Sequence, residues 1–353
     1  MRHLRRCVAL AVVRCASALS RTELIETFGL REGVATTQST WRSESASCVS
    51  FAVAGDGDDS GDSGDGGGGG DDASRFETTS VAVVDGLVDG ALRSELLALL
   101  GESDARVECG PSPESWTGTF VDHEDESGRA DRGGLAPSLL STLGGAPPPR
   151  ALVELQTRLR KWFVTCNGDD GLVVSRMPRL AVGSADVPQI AANAPVSGDG
   201  DDAYGWHVDA DPAVVPPSPW KDAFGAYANR SPGRPRWVTA LVYLSPEWKA
   251  EWRASTRFLD VKARAILDVF PAPGRVVLLD QDLVHSVSSP APSAEKRARF
   301  SLVLKLVIHP SPGSGARISI APRGSGSDSE SPPGRDPVPG VGAFRAIARG
   351  DVA

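Results

Sequence analysis

Between residues 172 and 308 the chain repeats one pattern, a short apolar run followed by a turn. Leu172–Met177, Trp237–Leu244, Arg275–Leu279 and Arg299–Ile308 are such runs, with Gly, Pro, Asp and Ser between them. Short runs rich in Val and Leu are strands, and several in series fold into a sandwich or a barrel. Ser80–Val84 is a further buried strand. Two helical patterns precede the series. Behind Asp89, a residue suited to capping a helix, Leu92, Leu96, Leu99 and Leu100 share one face. Over Pro147–Val164, Leu152, Leu155, Leu159, Trp162 and Phe163 share another. Residues 103–149 are polar, rich in Gly and Pro and without clear periodicity. Ser245-Pro246-Glu247 reads as a helix start, with Trp248 and Trp252 one turn apart behind it. Helices early and strands late predict a mainly β core buttressed by N-terminal helices, α+β overall.

Composition sets the expected limits of that unit. The first 22 residues hold Arg2, Arg5, Arg6, Arg14 and Arg21 and no acid. This is the composition of an organelle transit peptide, for a chloroplast or a mitochondrion. A secretory signal is the rival, but its apolar stretch Cys7–Val13 is cut short by Arg14. Residues 1–53 are therefore expected to be a targeting or disordered segment. Residues 54–75 consist largely of Gly, Asp and Ser, which can neither bury a core nor hold a helix, and read as a solvated linker. From Ser311 onward Gly, Ser, Pro and Arg dominate, so 311–353 is expected to be a disordered tail. One domain, 76–310, remains.

The net charge of −8 argues against a global nucleic-acid-binding role. No apolar stretch is long enough to span a membrane. The five cysteines, Cys7, Cys15, Cys48, Cys109 and Cys166, form no CxxC pair, which excludes a zinc ribbon or a thioredoxin-type site.

Chemistry concentrates around two of the five histidines. His207-Val208-Asp209 follows Tyr204-Gly205-Trp206, and His285 follows the turn Asp280-Gln281-Asp282. In a strand, residues i and i+2 point the same way, so His207 and Asp209 can face one interior. With His285 they make a two-His, one-carboxylate set, which leaves coordination positions open and suits Fe(II). His123-Glu124-Asp125 matches the same short pattern, but no apolar flank places it inside a barrel, and it reads as a solvated loop. Further on, Arg299 and Ser301 alternate with Phe300, Leu302, Leu304 and Leu306. The apolar face packs outward against helices, and the other turns Arg299 and Ser301 to the interior. A buried Arg needs an anionic partner, which a dicarboxylic acid supplies through a bidentate contact. Arg297 shares the parity of Arg299 and is its rival. Trp206 reads as a packing residue, and so do Trp248 and Trp252. Asn193-Ala194-Pro195 can shape the mouth of the barrel, and the Pro- and Gly-rich stretch 211–236 can act as a lid.

The order HVD, then PGRVVLLDQDLVHSVSSP, then RARFSLVLKLV resembles the 2-oxoglutarate- and Fe(II)-dependent dioxygenase superfamily, in particular its prolyl 4-hydroxylase-like branch. The opening SVAVVDGLVDGALRSELLALL resembles the strand-then-helix start of that branch. Ser255-Thr256-Arg257-Phe258-Leu259 stands where the branch has a G-G-x-T-x-F strand, and the double glycine is missing. The resemblance implies a double-stranded β-helix, or jelly roll. It implies Fe(II) held by His207, Asp209 and His285, and 2-oxoglutarate held by Arg299, with Ser301 and Tyr243 as hydroxyl partners. It further implies dioxygen as co-reactant, ascorbate as a supporting reductant, and hydroxylation of a peptide or small-molecule substrate, prolyl residues among them, with 2-oxoglutarate decarboxylated to succinate. Two other classes stay open. One is a cupin-like metalloenzyme that does not use 2-oxoglutarate; the other is a catalytically silent jelly-roll binding module.

Overall fold

The computed structural model describes residues 38–42, 46–51, 81–117, 134–197, 202–322 and 345–346, with gaps at 107, 109, 179–180, 183–184, 187–188 and 261–264. His123, Asp125, the Arg-rich start and the Gly/Asp-rich linker lie outside these residues.

Strands β1 (Gln38–Arg42), β2 (Ser47–Phe51) and β3 (Val81–Asp85) come first, and helix α1 (Gly90–Leu99) follows them. Then come β4 (Trp116–Thr117), β5 (Gly134–Leu135), α2 (Pro137–Gly144) and α3 (Arg150–Asn167). β6 (Val173–Arg176), β7 (Ala181–Val182) and β8 (Ala185–Asp186) lead into β9 (Ile190–Asn193), β10 (Asp202–His207), α4 (Pro219–Phe224) and β11 (Arg236–Tyr243). β12 (Thr256–Asp260), β13 (Ala265–Val269), β14 (Val276–Asp280), β15 (His285–Ser288), β16 (Ser301–His309) and β17 (Arg345–Ala346) complete the order.

Apart from the hairpin β12–β13, which lies wholly in the smaller sheet, the strands β9 to β16 alternate between two antiparallel sheets. β14, β11, β16 and β9 are neighbours in the larger sheet, and β10, β15, β12 and β13 are neighbours in the smaller one. A chain that winds back and forth between two such sheets is a double-stranded β-helix. β11 is buried along its whole length, which explains its continuous apolar run. Its residues still sort by parity. Val238, Ala240 and Val242 join the cluster that packs on the helices, while Leu241 and Tyr243 join the cluster between the sheets with Phe258, Leu267 and Val303.

The helices form as their patterns demand. Asp89 caps α1 by accepting from the Leu92 amide at 2.9 Å. Leu152, Leu155, Leu159, Trp162 and Phe163 of α3 are all buried against the larger sheet, each contributing on the order of 1.5–3 kcal/mol. At Gly274 (φ +72) the turn into β14 lies against the loop after β3, where a Cβ would stand 2.2 Å from the Val88 carbonyl oxygen. Only glycine fits there.

Four expectations need correction. β1 and β2, which fall in the segment expected to be a targeting or disordered region, extend the larger sheet beyond β3. Residues 311–322, expected in a disordered tail, are packed: Ile318 and Ile320 are buried, and Ser319 and Ile320 bond to Asn167 and Trp162 of α3. The Ile-Ser-Ile alternation provides the apolar surface that the surrounding Gly, Ser and Pro obscure. Arg345–Ala346 pairs with β13. The helix expected after Ser245 is only a 3-10 turn, Ala250–Trp252, and Trp248 instead meets Trp252 edge-on at 5.5 Å. Conversely, α2 lies where no periodicity was visible, because only Leu143 of its eight residues is buried. No helix among the described residues is long and apolar enough to cross a membrane.

Candidate metal centre

Strand pairing brings the three expected ligands together. His207 ends β10 and His285 begins β15, and the two stand directly opposite each other in the antiparallel pair. Their rings lie 4.3 Å apart, centroid to centroid. Asp209 sits two residues past the end of β10, where its amide donates to the Gln281 carbonyl at 2.9 Å. Its Oδ1 is 3.8 Å from His207 Nε2 and 3.9 Å from His285 Nε2. One ligand atom from each residue falls within 4.8 Å of the others.

The protonation of the set suits a metal. His207 Nδ1 lies 2.8 Å from the Gly205 carbonyl oxygen, and His285 Nδ1 lies 2.9 Å from that of Leu283. A carbonyl can only accept, so each Nδ1 carries the hydrogen and each Nε2 turns a lone pair inward. Burial, with His207 beside it, pushes His285 down to about 4, so at neutral pH it is an uncharged ligand. Burial alone would raise the Asp209 carboxyl, but Lys305, with His285 and His207 behind it, outweighs burial and holds it well below the usual carboxylate range. Two imidazoles and a carboxylate on one side of a site are a donor set for Fe(II) that leaves positions free. The Asp209 and His285 side chains are each 9% exposed, while that of His207 is 38% exposed, so the centre opens outward past His207.

Two further side chains fix the carboxylate, and the sequence reading missed both. Thr239 Oγ1 donates to Asp209 Oδ2 at 2.6 Å. Lys305 Nζ pairs with Asp209 Oδ1. Thr239 of β11 and Lys305 of β16 are direct partners in the larger sheet, so one rung of it grips both carboxylate oxygens. The signal was present. Lys305 shares the parity of Arg299 and Ser301, and a lysine inside a long apolar strand calls for an inward partner.

The residues expected to hold a dicarboxylic acid gather further along the same interior. Arg299 lies just before β16, is 1% exposed, and places its guanidinium 5.1 Å from the centre of the Tyr243 ring. Its Nη1 donates to the Ala254 carbonyl at 3.2 Å, while Nε and Nη2 are buried without a partner. Burial draws this guanidinium below its ordinary value. Among the described residues no carboxylate pairs with it. Ser301 Oγ donates to the Asn193 carbonyl at 3.4 Å, and the Tyr204 hydroxyl donates to Asn193 Oδ1 at 3.1 Å. The Tyr243 hydroxyl is shared with Thr256 Oγ1 at 2.7 Å, so the ring of Tyr243, more than its hydroxyl, meets Arg299. A buried guanidinium with two idle donors fits the distal carboxylate of a 2-oxo diacid.

The remaining candidates lie elsewhere. Arg297 faces outward, bonds Glu108 at 2.9 Å and stacks on Trp252. Trp206, next to a ligand but of opposite parity, packs under Arg257 at 5.2 Å. The stretch 211–236 is anchored rather than free. Asn229 bonds the Trp237 backbone in both directions, and Trp220 and Tyr227 pack on Trp237 and Val307. Arg230 donates to Asp280 at 2.8 Å.

No protein-family model matches the chain, and no curated protein does. Among solved structures it is similar to a Pseudomonas putida prolyl-4-hydroxylase, at 14% identity over 67% of this chain and 96% of that one, with a TM-score of 0.35. It is also similar to an oxidoreductase of the 2OG-Fe(II) oxygenase family from Burkholderia pseudomallei, at 15% identity over 72% and 96% of the two chains, with a TM-score of 0.34. HygX from Streptomyces hygroscopicus, solved with nickel and 2-oxoglutarate bound, matches at 14% identity over 70% and 89%, with a TM-score of 0.34. Likeness this distant adds no weight to the strand order and the side chains described above.

Proposed function

We propose that this chain is an Fe(II)- and 2-oxoglutarate-dependent dioxygenase that hydroxylates a peptide or small-molecule substrate. The observation that carries the proposal is Arg299. A guanidinium buried in the same barrel as a two-His, one-carboxylate set, with no carboxylate partner among the described residues, calls for a dicarboxylate beside a metal. With Fe(II) and 2-oxoglutarate bound, such a centre uses one dioxygen to convert 2-oxoglutarate to succinate and carbon dioxide and a substrate C–H bond to C–OH.

The chain's own residues prepare that chemistry. The Gly205 and Leu283 carbonyls fix both imidazole tautomers. Thr239 and Lys305 hold Asp209 ionised and aimed. The Tyr243 ring and Ala254, both buried, stand against Arg299, and burial strengthens the attraction of its guanidinium for an anion. The sequence resemblance favours prolyl or other amino-acid residues as substrate and ascorbate as an accessory reductant.

The test uses protein loaded with Fe(II) under anaerobic conditions. Adding 2-oxoglutarate should produce a weak metal-to-ligand charge-transfer band in the visible. Arg299→Ala should bind iron yet lose the band at the same 2-oxoglutarate concentration. An iron-loaded wild type without any band would point to a cupin-like metalloenzyme instead.

A further inference from the structure

The inward face of β16 runs Ser301, Val303, Lys305, Val307, and Lys305 is its one charge. Its side chain is 7% exposed, and among the described residues its ion pair is with Asp209. The contact is specific to one oxygen. Oδ2 of Asp209 already accepts from Thr239, while Oδ1 is the atom that faces both Nε2 atoms and also takes the ammonium. Oδ1, 3.8 and 3.9 Å from the two Nε2 atoms, is the oxygen placed for a divalent ion held by the triad. Lys305 and the metal therefore contend for one ligand atom.

Charge sharpens the contest. The barrel interior holds the Asp209 carboxylate, the Lys305 ammonium and the Arg299 guanidinium, which pairs with no carboxylate among the described residues. Its net charge is already positive before a dication enters, and in a buried site like charges repel far more strongly than in water. A dianion placed between Arg299 and the triad would relieve that excess. Thr239 and the Gln281 carbonyl also hold Asp209, so the residue keeps two contacts when the lysine is removed.

We infer that Lys305 is a positioning residue that makes metal loading depend on the 2-oxo diacid. It holds Asp209 ready, weakens the binding of a divalent ion alone, and is outweighed once the dianion arrives. This rests on the triad being a metal centre, as proposed above.

The test measures Mn(II) binding to the full chain by the electron paramagnetic resonance of the free ion, with and without saturating 2-oxoglutarate. Wild type is compared with Lys305→Met and Lys305→Gln, and circular dichroism checks that each variant is folded. The second variant, which keeps a polar group beside Asp209, stands in should the first not fold. Without 2-oxoglutarate, the variants should bind Mn(II) about tenfold or more tighter than wild type, whereas damage to the fold would weaken binding. With 2-oxoglutarate that advantage should shrink to within roughly threefold. Equal or weaker Mn(II) binding by a folded variant would overturn the inference, and so would an equal gain in both conditions. No Mn(II) binding by any of the proteins would instead overturn the metal centre itself.

Discussion

Arg236 and Arg299 are each 1% exposed, and they lie in opposite electrostatic circumstances. Arg236 donates to Asp280 through Nε at 2.7 Å and Nη2 at 2.9 Å, and Arg230 adds a third bond to the same carboxylate. That network ties the stretch 211–236 and the segment around Ile318 to β14. The surrounding arginines hold the Asp280 carboxyl, against its full burial, below the ordinary range. Arg299 has one carbonyl, one aromatic face and two idle donors. Burial is the same in both regions, so burial alone does not mark a ligand site. Charge balance separates them: one region satisfies its own cations, and in the other no carboxylate among the described residues pairs with the guanidinium.

The sharpest way to break this contrast is to remove one anchor from the satisfied region. Asp280→Ala takes from Arg236 and Arg230 the carboxylate they share and should cost about 3–5 kcal/mol of stability, measurable by urea denaturation. Arg299→Ala should behave in the opposite manner. Deleting an unpaired buried cation should leave the melting temperature unchanged or higher, while 2-oxoglutarate affinity falls by about 2–5 kcal/mol, a loss of roughly thirtyfold or more. Calorimetry on the metal-loaded protein reads both. A variant that loses stability and keeps 2-oxoglutarate would place Arg299 in the structural class with Arg236.

A pH experiment probes the edge of the satisfied region. Burial raises Asp282 to about 6, although Arg230 lies 3.6 Å away. Its folded value lies above the ordinary 3.8, so between pH 3.8 and 6 the folded protein holds a proton that the unfolded chain has released. The contribution of Asp282 to stability is therefore greatest below pH 3.8 and is lost as pH rises through 6, by about 2–3 kcal/mol. Asp282→Asn should remove that dependence, so the stability difference between variant and wild type should grow from pH 4 to pH 6.5. The smallest effect is expected at Ser301, whose 3.4 Å bond to Asn193 is long. Ser301→Ala should weaken 2-oxoglutarate by about 0.5–1.5 kcal/mol and leave the fold intact.

Much of this molecule could be read from its residues, for identifiable reasons. Few residue types ligate iron, and strand parity limits where they point, so His207, Asp209 and His285 could be proposed from spacing, and the β10–β15 register brings them together. The helical face of α3 was equally clear, because five large apolar residues recur over eighteen positions. Composition misled at the flanks. β2 is only five residues long and lies among polar residues, and Ile318 and Ile320 are diluted by Gly and Ser. Lys305 was missed because an apolar run draws attention to its outward face, while the charge that matters lies on the inward one. Tyr243 showed another limit. A strand tyrosine can be placed inside from sequence, but whether its hydroxyl or its ring does the work depends on a neighbour such as Thr256.

The central claim is that Arg299 holds its charge for a distal carboxylate beside the metal. Titration of metal-loaded wild type with 2-oxoglutarate and with pyruvate, which has the same 2-oxo acid head and no distal carboxylate, tests this directly by calorimetry. The account predicts that 2-oxoglutarate binds roughly thirtyfold or more tightly than pyruvate, and that Arg299→Ala binds the two alike. Equal affinity for both acids in the wild type would contradict it.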